Sequence, residues 1–195
     1  MGAKSSIEWT DASWTPIRAR NKANGKVGWH CEHASDGCRF CYSEVINGRF
    51  GTGLPFKPGH RKDVELFLDE KMLQAPLRWR GQKMVFVCSM TDLFADFVRG
   101  EWIGAMFEVM AKCPQHTFQI LTKRSARMRG YVSEKRVPSW VWLGISAEDQ
   151  DNYDERWPDL ANTPAAVRFI SYEPAIGPLN INPVKPGDRL PCWLI

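Results

Sequence analysis

The chain has 195 residues, 44% hydrophobic and 25% charged, with a formal net charge of +4. These values suit one domain, or at most two, able to bury about 70% of its unfolded surface, and exclude the strong basic excess of a DNA-packaging protein. No apolar run reaches the roughly 18 residues that span a bilayer, and the polar N-terminus lacks an apolar signal core, so a cytoplasmic protein with no membrane partner is expected.

Residues 7–17 mix strand formers with alternating polar positions up to Pro16 and predict a first strand. Residues 18–26 read as a basic loop leading to Trp29 and a group of cysteines. Residues 42–47 are helix-compatible, and 51–63, with three glycines and two prolines, predict a long loop. Asp69 predicts the cap of a helix running to about Trp79, ended or kinked by Pro76. A rhythm then sets in. Short apolar runs at 84–89, 117–122, 140–146 and 167–172 predict strands with polar tips, and Cys192 begins another that the chain end cuts off. Between them lie helical stretches: one carries Ile103, Met106, Phe107, Met110 and Ala111 on a single stripe, one starts at Ser125, and one ends near Leu160.

Strands alternating with helices predict an α/β fold with a parallel sheet and right-handed crossovers. Apolar strands with polar C-terminal tips point to a partial (β/α)6-type barrel, truncated at its last strand, with a doubly wound sheet as the alternative. The organisation expected is a single domain over 1–195. Residues 1–63 form the first strand, cysteine loop and long loops, and 64–195 the β/α repeats.

Cys31, Cys38 and Cys41 fall within eleven residues, the last two separated by two, and Gly37 lets the backbone bend back between them. In a reducing compartment clustered thiols bind metal or do redox work. Cys88, Cys113 and Cys192 lie apart and read as small buried apolar residues. Three thiols admit zinc, with His33 or His30 as fourth ligand, or an iron–sulfur cluster with one open iron; unliganded thiols are the third reading. The surrounding strand rhythm favours the cluster. In parallel α/β folds the active site collects at strand C-termini. There the tips offer Ser89, Thr91 and Asp92, then Lys123 and Arg124, then Ser146 and Glu148, then Glu173. The alternative is that these are polar only because strand ends meet water.

The motif resembles that of the radical S-adenosylmethionine superfamily. Cys38-Arg39-Phe40-Cys41 matches its second half, an aromatic preceding the third cysteine, while Cys31 and Cys38 enclose six residues where the usual motif has three. The wording of 7–12, 90–94, 121–124, 144–149 and 171–174 is similar to an uncharacterised bacteriophage-borne group within or near that superfamily, so the resemblance covers most of the chain. It implies a [4Fe–4S] cluster on Cys31, Cys38 and Cys41 whose open iron binds S-adenosylmethionine. Reductive cleavage of that cofactor would start hydrogen abstraction from an unknown substrate, with a reductant protein as partner. In that frame Ser89, Thr91 and Asp92 are candidates for the methionine end and Ser146 and Glu148 for the ribose hydroxyls. Phe40 and Tyr42 are candidates for the adenine and Lys123 for the carboxylate, with Glu173 completing the rim.

Basic residues group as Arg18, Arg20, Lys22 and Lys26; Lys57, His60, Arg61 and Lys62; and Lys123, Arg124, Arg127 and Arg129. If these share a face with Trp14, Trp29 and Phe56, nucleic acid is a candidate substrate; otherwise they are solvated loops. The competing function is a zinc-stabilised phage-type interaction module without catalysis. The nine tryptophans are expected to pack in the core or under long loops.

Overall fold

The computed structural model describes residues 5–181 and 191–195. Its first strand, β1 (Ala12–Trp14), is followed by three that form a small antiparallel sheet: β2 (Ile17–Asn21), β3 (Val27–Gly28) and β4 (Val64–Leu68), in the order β3-β2-β4. Between β3 and β4 runs α1 (Tyr42–Phe50), and α2 (Glu70–Leu73) follows β4. Then come β5 (Met84–Val87), α3 (Gly100–Ala111), β6 (Thr117–Thr122), α4 (Ser125–Val132), β7 (Val141–Ser146), α5 (Gln150–Ala161), β8 (Arg168–Ser171) and β9 (Trp193–Leu194).

The main sheet has six strands in the order β1-β5-β6-β7-β8-β9, and every neighbouring pair is parallel. The expected α/β class and parallel sheet are therefore present. The order never reverses among these strands, unlike the doubly wound alternative, in which it turns back at a switch point. Val85, Val87, Phe118, Ile120, Val141, Leu143, Ile145, Phe169 and Ile170 are all buried, as expected for strands covered on both faces. On α3 the inward stripe is Ile103, Met106, Val109 and Met110; Phe107 is half-buried and Ala111 exposed, so the helix is turned slightly from the stripe expected. Trp14 is fully buried in the same core, and its indole N–H donates to the Met72 carbonyl at 2.8 Å.

Two expectations need correction. Residues 7–17 are not one strand: the chain leaves the main sheet after Trp14, and β2 joins the other sheet. The basic segment after it is not a loop but β2 and a hairpin to β3, turning at Gly25 with φ +72°. Ile17, Ala19 and Asn21 point inward while Arg18 and Arg20 alternate with them, a period of two that the charges conceal. Asp69 does cap α2, accepting from the Met72 amide at 2.9 Å. The helix lasts one turn before a 3₁₀ turn, Ala75–Arg78, that contains Pro76.

The fold makes two predictions. A Cβ on Gly144 would lie 2.5 Å from the Phe169 ring of the adjoining strand, so Gly144→Val should lower unfolding free energy by at least about 1–3 kcal/mol in urea. His116 is buried against Trp79 and Phe118, with its Nε2 3.3 Å from the Pro76 carbonyl, and burial lowers its pKa below the usual 6.5. As pH falls below 6.5 the unfolded chain takes up a proton that the native state resists, so stability falls by at most about 1.4 kcal/mol per pH unit from this group. His116→Gln should show a shallower acid decline in the same denaturation series.

Candidate functional site

Because the strands are parallel, their C-terminal ends open on one side. There the tips of β5, β6, β7 and β8 line a cavity of about 780 Å³ together with Cys31, Cys38 and Cys41. That size is ordinary for a cofactor or substrate site, about 300–1,000 Å³. Cys38 sits in a 3₁₀ turn, Asp36–Phe40, and Cys41 occupies the position just before α1.

Two buried carboxylates hold the cysteine loop to the sheet. Asp92 Oδ1 accepts from the Phe94 amide (2.9 Å) and Thr122 Oγ1 (2.7 Å), and its Oδ2 from the Lys123 amide and Arg124 Nη1, both at 3.0 Å. Arg124 Nη2 donates onward to the Glu32 carbonyl (2.8 Å), and Thr91 Oγ1 donates to the His30 carbonyl (2.6 Å). Cys31 is thus clamped from both sides. Glu148 is wholly buried; Oε1 accepts from Ser35 Oγ at 2.7 Å and from Lys123 Nζ, and Oε2 from Arg156 Nη1 at 2.9 Å. Gly37 lies directly on this carboxylate, where a Cβ would meet Glu148 Cγ at 2.5 Å. On the far side of the loop, Ser43 Oγ (2.7 Å) and Tyr42 Oη (3.2 Å) donate to the Ser89 carbonyl. Asn47 Oδ1 accepts from the Trp29 amide at 2.9 Å.

Of the residues expected at the site, Phe40, Tyr42, Ser89, Thr91, Asp92, Lys123, Ser146 and Glu173 line the cavity with the three thiols. Phe40, Tyr42 and Glu173 are exposed at its mouth. Glu148 is not on the lining: both its oxygens are occupied by Ser35, Lys123 and Arg156, so in this arrangement it supports the loop and does not face a ribose. Lys123 likewise rests on Glu148. Burial pulls its ammonium down to about 8, against the influence of Cys38. Burial pushes the Cys31 thiol up to about 12, with the Asp92 charge adding to the effect. This thiol stays protonated unless a cation arrives to compensate it.

Among the described residues no group of three or more His, Cys, Asp or Glu side chains gathers around one point as a single metal ion requires. His30 Nε2 lies 3.3 Å from Glu32 Oε1, and His33 Nε2 lies 2.5 Å from Glu44 Oε2, so each candidate fourth zinc ligand is turned to a carboxylate. Cys113 is buried in the core as expected. Cys88 is likewise buried in the core, on a backbone with φ +57°, and also lines the cavity; Cys192 is exposed, which corrects its reading as a buried residue. Three of the third basic group turn inward: Arg127 donates to the carbonyls of Ala95 and Val98, and Lys123 and Arg124 are committed as described, while Arg129 is exposed and paired with Asp159 at 3.4 Å. Trp14, Trp29 and Phe56 are buried, so none of these rings is presented for base stacking.

Ser35, Asn47 and Arg156 were not anticipated as site-forming residues. The signal for Arg156 lay in the helix period: with Tyr153 and Leu160 it occupies the buried stripe of α5, where an arginine needs an anionic partner. Among the described residues no helix is long and apolar enough to cross a membrane.

A family model described as "Protein of unknown function (DUF5131)" matches residues 4–187, and the chain belongs to that family. No curated protein and no solved structure matches it. Removing the Glu148 charge tests the loop anchor: Glu148→Gln leaves Arg156 buried without its counter-ion and should cost about 3–5 kcal/mol in chemical denaturation. Ser35→Ala, which deletes one hydrogen bond to a charged group, should cost about 1.5–3 kcal/mol.

Proposed function

We propose that this DUF5131 member is a cytoplasmic radical S-adenosylmethionine enzyme built on an open, partial (β/α)6-type barrel. Cys31, Cys38 and Cys41 would hold a [4Fe–4S] cluster, and S-adenosylmethionine would bind beside it in the large cavity. One observation carries the reading: three thiols close in sequence share a cavity wall with the polar tips of four parallel strands. The donor set suits the group. A cubane takes its thiolates on three different irons, so they need not meet at one point, whereas zinc requires four ligands around a single ion. The histidines that zinc would enlist are already engaged by Glu32 and Glu44.

When bound, the cluster supplies a single electron to the sulfonium of S-adenosylmethionine, which starts hydrogen abstraction from the substrate. The chain's own residues bind, orient and shield. Thr91, Asp92 and Arg124 fix the path of the cysteine loop, and Lys123 and Arg124 offset thiolate charge on the same wall. Ile7, Trp9, Phe86 and Leu121 give the cavity an apolar lining that limits water around a reactive species. Phe40 and Tyr42 stand at the mouth as surfaces for the adenine, and Ser89 and Ser146 bring hydroxyls to the wall. A reductant protein is the partner this reading requires. All six cysteines are free thiols, in keeping with a reducing compartment.

Protein purified and reconstituted without oxygen should be brown, carry about four irons and matching sulfide per chain, and cleave S-adenosylmethionine when reduced. Cys38→Ala should lose colour and cleavage together while keeping its far-ultraviolet dichroism. Colourless protein holding one zinc per chain would overturn the proposal.

A further inference from the structure

Behind the wall of the large cavity lies a second one of about 360 Å³, bounded by the end of β1, by β2 and by α1. The three motif thiols line only the larger chamber, while Ile7, Tyr42, Ser89 and Met90 line both. Two polar groups on the smaller chamber's wall are buried without any hydrogen-bond partner among the described residues: Thr15 Oγ1 and Trp29 Nε1, on residues 8% and 4% exposed. A third, Arg18, lays its guanidinium 4.6 Å from the centroid of the Trp29 ring. Its hydrogen bond runs from Nε to the Gly28 carbonyl at 3.0 Å, and among the described residues it makes no ion pair; the Asp69 carboxylate acts on it only from a distance.

The chemistry of these groups is one-sided. Arginine and the indole nitrogen can only donate, so whatever satisfies them must bring acceptors. The guanidinium carries a permanent charge, and among the described residues no carboxylate lines the chamber to balance it. Leaving such donors dry is costly, yet the volume is about twelve times a water molecule's ~30 Å³ share of the liquid, more room than stray donors need for hydration. Ile46, Met72 and Met90 add an apolar surface to the same chamber.

We propose that this chamber binds a small molecule with an anionic head, a carboxylate or a phosphate ester, held by Arg18, Trp29 Nε1–H and Thr15, with its apolar body against Ile46, Met72 and Met90. The arginine fork takes two acceptor oxygens in one plane, and the indole N–H and threonine hydroxyl complete the head-group shell. The site does not depend on a cluster being bound.

Titrating ¹⁵N-labelled full-length protein with hexanoate, hexyl phosphate and the neutral hexanamide tests this. The indole N–H resonance of Trp29, identified by its loss in Trp29→Phe, should move saturably with at least one of the two anions at concentrations up to about 10 mM. A response to one anion alone identifies the head group as carboxylate or phosphate. Arg18→Gln should weaken binding at least about tenfold, and the nearly isosteric Thr15→Val should weaken it by a smaller factor with an unchanged melting temperature. The proposal is overturned if neither anion moves the resonance, if hexanamide binds as well as the anions, or if both variants bind undiminished.

Discussion

Two carboxylates with almost no access to water, Asp92 and Glu148, determine where the cysteine loop lies. An ionised carboxylate deprived of solvent is expensive unless surrounded by donors. Here those donors come from the elements that have to meet: the tip of β6, the inner face of α5, and Ser35 within the loop itself. Such buried pairs add little net stability, because desolvation consumes most of the Coulombic gain. What they provide is uniqueness of position. A loop shifted by a residue would leave Glu148 facing Arg156 without Ser35, and Arg124 without the Glu32 carbonyl.

That constraint explains why thiols on a loop far from the strands in sequence reach the cavity that the strands create. The parallel sheet gathers four tips on one side, and the carboxylates draw the loop over them. The resulting environment disfavours a bare thiolate: Cys31 and Cys88 are both held well above the usual thiol range by burial, each with Asp92 close by. Binding of a positively charged centre and release of thiol protons are coupled in such a place. The same walls that would exclude water from a reactive species also keep the Cys31 and Cys88 thiols protonated while no cation is bound.

The small antiparallel sheet contributes differently. Arg18 and Arg20 share the face of β2 opposite Ile17, Ala19 and Asn21; Arg20 pairs with Glu65 at 2.7 Å, whereas Arg18 lies over Trp29. Two arginines separated by one residue therefore meet opposite fates, one in an exposed ion pair worth little and one half-buried beside unpartnered donors. Trp29 belongs to a cluster with Phe56 and Met90, against which Cys31, Cys41 and Ile46 pack, so the smaller chamber and the cysteine loop share a common apolar backing.

Signals that depend on a residue's near neighbours could be read directly from the chain. Apolar runs gave β5, β6, β7 and β8, the Asp69 cap gave the start of α2, and the helix after Cys41 and the shared rim of strand tips followed from spacing alone. Such features are local: caps, periods and turn residues act over a few positions. Features that depend on a distant partner were hidden. Charged side chains masked β2, whose identity as a strand rests on pairing with β4 more than forty residues away. Glu148 looked like a ligand group because its polarity is a property of the residue, whereas its enclosure by Ser35, Lys123 and Arg156 exists only once three segments pack. The unpartnered Thr15 and Trp29 are likewise products of assembly, since a missing hydrogen bond is defined by everything that surrounds it.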